Sequence, residues 1–162
     1  MDEIERVIEQ WAIEKPELDT EPMAMLGRLL RISKHLETQI ADTHKRYDLK
    51  LGEFDVLATL RRSGKPFSLT PSDLINSMML TSGAMTNRLD KLEKKGLIER
   101  SHSQEDRRSV HVKLTNDGLV LIDEMMMEHV AVQSNLVESL SDSQKKQLNQ
   151  LLTTWLTQFE SA

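Results

Sequence analysis

Thr86, Asn87, Asp90 and Lys91 stand within six positions of one another. On a helix, at about 100° per residue, Thr86, Asn87 and Asp90 fall on one face together with Gly83, and Lys91 flanks them. Hydroxyl, amide and carboxylate groups so arrayed suit the donors and acceptors that a major groove presents, with Thr86 and Asn87 the candidates for base edges. Thr81, Ser82 and Lys91 beside them are candidates for phosphate. Farther along, Arg107 and Arg108 close a polar run at 103–108 and offer paired cations to a nucleic-acid backbone or a minor groove. No other constellation suggests chemistry. His35, His44, His102, His111 and His129 are scattered without an acid partner at a catalytic spacing, and no glycine-rich phosphate loop is present. No catalytic residue and no metal ligand set is assigned, since the histidines and carboxylates form no convincing cluster.

The elements that must position these groups follow from periodicity. Met85, Leu89 and Leu92 recur as one apolar stripe of a helix, for which Thr81 and Ser82 are suitable N-caps. Gly96 after Lys94-Lys95 predicts its end. The period then changes to two: Val110, Val112 and Leu114 alternate with His111 and Lys113, with Leu97-Ile98 as the partner strand. Upstream, Thr70-Pro71 opens a short helix with Leu74, Ile75 and Met78 inward. Two helices, a tight turn and a hairpin with a charged tip are the sequence form of a winged helix-turn-helix. The predicted class is mainly α with a small β-hairpin wing.

Flanking this unit, helices are expected over Asp2–Ile13, Met23–Lys45, Leu51–Arg62, from Thr115 to about Leu140, and from a capping box at Ser141–Gln144 onward. Residues 1–15 form an added N-terminal helix, 51–114 the winged helix-turn-helix, and 23–46 with 115–162 the dimerisation helices. Their apolar faces exceed what one small domain covers, so pairing across a two-fold axis is expected. Charge supports the same plan. Residues 61–113 carry eleven lysines and arginines against six acids, whereas each flank is net −5. A basic centre between acidic arms favours a local anion-binding surface. With no cysteine, no disulfide or thiol switch is available. No apolar run spans a bilayer and no cleavable signal is seen, so a cytoplasmic location without membrane partners is expected.

This arrangement resembles the MarR family of bacterial winged helix-turn-helix regulators from Met23 to Phe159. The carrying segments are Leu51 to Leu57, Thr86 to Arg100, and Asp106-Arg107-Arg108. The resemblance implies a homodimer, palindromic double-stranded DNA, and repression relieved by a small molecule. It is similar in particular to the urate-responsive branch, which has an extra N-terminal helix bearing a tryptophan. That likeness makes Trp11, Asp55, Arg88 and Arg100 the ligand-binding set, with urate or another aromatic anion as effector and no cofactor. The residues agree in part: Arg88 lies about 60° from Met85, beside the buried stripe, and should turn towards the helix carrying Asp55. An arginine so placed needs a carboxylate or a ligand anion. A structural Asp55–Arg88 ion pair explains the same residues. A regulator answering to a phenolic or metal effector, and a ligand-independent winged-helix interaction module, are the rival functions.

Overall fold

The computed structural model describes residues 2–79, 84–102 and 109–160. In chain order it contains α1 (Glu3–Glu14), α2 (Glu21–Lys45), α3 (Leu51–Arg62), β1 (Ser68–Leu69), α4 (Pro71–Ser77), α5 (Met85–Lys94), β2 (Ile98–His102), β3 (Val110–Leu114), α6 (Asn116–Leu136) and α7 (Asp142–Glu160). Residues 1–42 form one compact unit and 43–162 a second. Among the described residues no helix is long and apolar enough to cross a membrane.

In the first unit, Asp2 caps α1 by accepting from the Glu5 amide at 2.8 Å. The helix is fastened to the first half of α2 by two ion pairs, Asp2–Arg28 at 2.7 Å and Glu3–Arg31 at 2.5 Å. Between them Ile4 sits over Gly27, where a Cβ would lie 2.9 Å from its Cδ1. A side chain at 27 would have to displace the end of Ile4. The added N-terminal helix thus starts on its own chain's α2. The apolar residues Met25, Leu26, Leu30 and Ile32 of α2 remain exposed.

The second unit is built around α3, whose Phe54, Val56, Leu57 and Leu60 are buried. Leu74 of α4, Met85, Leu89 and Leu92 of α5, Ile98 and Val112 of the sheet, and Ile122 and Met125 of α6 complete the core. Local chemistry fixes several boundaries. Thr70 accepts from the Asp73 amide with Pro71 at the first helical position, and Thr115 accepts from the Gly118 amide. Ser141 and Gln144 close a reciprocal capping box ahead of α7.

Four expectations need correction. The sheet has three strands, in the order β1-β3-β2, all antiparallel. The two-residue β1 pairs Ser68 with Lys113 and is too short to show a period. The wing's first strand runs from Ile98 to His102, while Leu97 precedes it and donates its amide to the Leu92 carbonyl. The α5 helix starts at Met85, and its N-cap is Ala84 in a left-handed conformation (φ 59°) with no side-chain cap. The N-cap position is thus not Thr81 or Ser82, and those two residues lie outside the described ones. Lastly, α6 ends at Leu136 and not near Leu140, because Val137, Glu138 and Leu140 donate to carbonyls three residues back.

Candidate nucleic-acid interface and ligand site

The α5 helix separates its two jobs by face. Met85, Leu89 and Leu92 are buried, while Thr86, Asn87, Asp90 and Lys91 are exposed. The outward groups are free of the core and form the polar series predicted from the sequence. Gly83, Arg107 and Arg108 fall outside the described residues.

Arg88 stands between the faces, half-buried. Its guanidinium lies against α3: a Cβ at Gly52 would fall 2.3 Å from Nε and 2.4 Å from Cζ. With a glycine at 52 the guanidinium can lie there undisturbed; a Cβ would push it aside. One turn along α3, Asp55 is 5% exposed, and its Oδ1 accepts the Met79 amide at 3.4 Å, where the chain leaves α4. A buried carboxylate on α3 thus reaches the turn of the helix-turn-helix, and a cation from α5 lies on the same helix.

Arg100 is held elsewhere. Its Nε and Nη2 donate to Glu93 Oε2 at 3.0 and 2.6 Å, and Nη2 also donates to Asp90 Oδ1 at 2.6 Å. Its amide donates to Glu93 Oε1 at 3.2 Å. These charge-assisted bonds hold the Glu93 carboxyl below the usual range and raise the already high Arg100 pKa. Arg100 therefore ties the first wing strand to the exposed side of α5. The sequence showed no sign of this clamp, apart from the three-residue spacing of Asp90 and Glu93. Trp11 belongs to the first unit, where it is 38% exposed and lines a shallow hollow with Gln10, Ile13 and Glu14.

Sequence reasoning also passed over a partly buried aromatic stack. His44 rests on Phe54 with ring centroids 4.0 Å apart, and its Nε2 lies 3.2 Å from Nδ1 of His129. Burial, with the second imidazole alongside, pushes His44 down to about 4; burial lowers His129 as well. Their separation in sequence hid the pair. Among the described residues no three histidines or carboxylates are placed to hold a metal ion.

A model of the MarR family matches residues 49–110, from just before α3 to the first residue of β3. The HTH-type transcriptional regulator PecS of Dickeya dadantii is 38% identical over 150 residues, covering 93% of this chain and 90% of that protein. The chain belongs to the MarR family. It is a DNA-binding transcriptional regulator and not an enzyme. The HTH-type transcriptional repressor YetL of Bacillus subtilis is 26% identical over 135 residues, 83% of this chain and 80% of that one. A mutant MarR from E. coli, solved in complex with operator DNA, superposes with a TM-score of 0.71 at 26% identity, covering 85% of this chain and 97% of the other.

Proposed function

We propose that this MarR-family regulator is a repressor that binds a palindromic operator as a homodimer and releases it when a small aromatic anion, urate foremost, binds. The observation that carries the reading is the division of α5, with a polar outer face on one side and Arg88 turned onto α3 on the other. The E. coli relative bound to operator DNA supports DNA as the partner. Thr86 and Asn87 meet base edges, while Lys91, with Thr81 and Ser82, meets phosphate. Arg107 and Arg108 of the wing meet the backbone or the minor groove. Two such helices enter successive major grooves roughly 34 Å apart.

Arg88 is the natural contact for the effector, since a guanidinium makes forked bonds to a planar anion. An anion arriving near the buried Asp55 repels that carboxylate and draws on Arg88, which rides on the reading helix. A hundredfold loss of operator affinity needs only about 2.7 kcal/mol of such coupling. Arg100, held by Asp90 and Glu93, acts by setting the wing against α5. For Trp11 the support is the resemblance and its exposed ring.

Operator binding with and without urate tests this reading. Asp55→Asn should reduce the urate response more than DNA affinity; an equal loss of both would mean that Asp55 only supports the turn. Arg108→Ala should weaken binding to all sequences alike and flatten its salt dependence, and a change confined to base preference would refute the backbone contact.

A further inference from the structure

Beside the C-terminal half of α5 the second unit holds an open hollow of about 460 Å³, lined by Lys45, Asp48, Leu49, Lys50, Glu53, Lys91 and Lys95. We infer that this hollow binds a phosphate group. Among the side chains that line it, four ammonium groups stand against two carboxylates, in a chain of net charge −5. Lysine binds phosphate as a point charge and needs no planar fork. The single apolar residue, Leu49, is buried at 2% exposure, so no aromatic effector finds a stacking surface there.

The floor of the hollow is built, not merely basic. Glu53 is 3% exposed and accepts the Lys50 amide at 2.9 Å. Lys95 reaches from the end of α5 to Glu53 Oε1 at 3.4 Å, to the Asp48 carboxylate at 3.4 Å and to the Asp48 backbone carbonyl. That lysine thus latches the end of the reading helix to the turn between α2 and α3. An incoming phosphate competes for the same ammonium. Lys95 is eight residues beyond Asn87, about 12 Å along the helix axis. The hollow is therefore set back from the base-reading residues, within reach of either a backbone phosphate or a free phosphorylated molecule.

The test spares Lys95, whose loss would strand the buried Glu53. Pyrophosphate is titrated calorimetrically into the full chain at fixed ionic strength. One site per chain is expected. Lys45→Glu with Lys50→Glu should weaken it about tenfold or more, and Asp55→Asn should leave it unchanged. Both lysines are exposed, and circular dichroism checks the fold; if the double variant fails to fold, Lys50→Gln should still weaken binding by a few-fold. The salt slope of DNA binding then separates the sources. A slope reduced by about one in the lysine variant assigns the site to a DNA phosphate; an unchanged slope assigns it to a free phosphate ligand. No pyrophosphate binding, or binding indifferent to the lysine changes, would overturn the inference.

Discussion

Burial lowers the His44 imidazole beside Phe54 to about 4 and lowers His129 as well, whereas in an unfolded chain an imidazole titrates near 6.5. Between pH 6.5 and 4 the unfolded state therefore binds more protons than the folded one. Stability is complete above about pH 6.5 and falls as the pH drops towards 4, by up to roughly 3 kcal/mol for His44. Denaturant midpoints at pH 7.5 and 5 should differ accordingly, and His44→Phe, which keeps the stack without the titration, should flatten that difference. Gly52 gives a second test at this scale. The three atoms nearest that Cβ all belong to the far end of the long Arg88 side chain. Gly52→Ala should then leave the melting temperature nearly unchanged, because the helix gains from alanine while Arg88 swings aside. The effector response should nevertheless fall, which a urate titration of DNA-bound protein would read. A large loss of stability would show that Arg88 cannot move.

At the scale of elements, the reading helix is held by the wing through Arg100 and by the α2–α3 turn through Lys95. A third restraint lies where α6 leaves the sheet. A Cβ on Gly118 would sit 2.0 Å from the Leu97 carbonyl oxygen, and that backbone cannot step aside. Gly118→Ala should cost about 3 kcal/mol, as overpacking does, against a propensity gain of less than about 1. Chemical denaturation would measure it, and a neutral result would mean that the contact is looser than it stands here. These contacts also explain what the sequence could disclose. The bounds of α3, the Thr70 and Thr115 caps and the Ser141–Gln144 box were legible because each rests on residues a few positions apart. The outward Thr86 and Asn87 and the inward Arg88 followed from one helical period. The third strand, the left-handed Ala84 cap and the Arg100 clamp were not legible. Each depends on partners that only the assembled fold brings near, and a two-residue strand carries no period of its own.

For the whole molecule, uncovered apolar surface is the dominant feature. No residue of α7 is buried, although it carries Leu148, Leu151, Leu152, Leu156 and Phe159; α6 adds Met127 and Val130. Patches of this extent mark an interface. The proposed dimer accounts for them, and Leu151→Glu should convert a species of twice the chain mass to a monomer in light scattering. Operator affinity should fall with it, since two half-sites are no longer read together. The charge plan fits the same proposal, with a net positive segment at 61–113 between two net negative flanks. The central claim is that α5 reads sequence as one of a symmetric pair. The most direct measurement is selection of bound duplexes from a random-sequence pool at low salt, with wild type and Asn87→Ala in parallel. Wild type should enrich a two-fold symmetric motif with half-sites about one helical turn apart, and Asn87→Ala should lose discrimination at a base pair in each half. Enrichment of no motif, or of an identical motif by both proteins, would contradict the account.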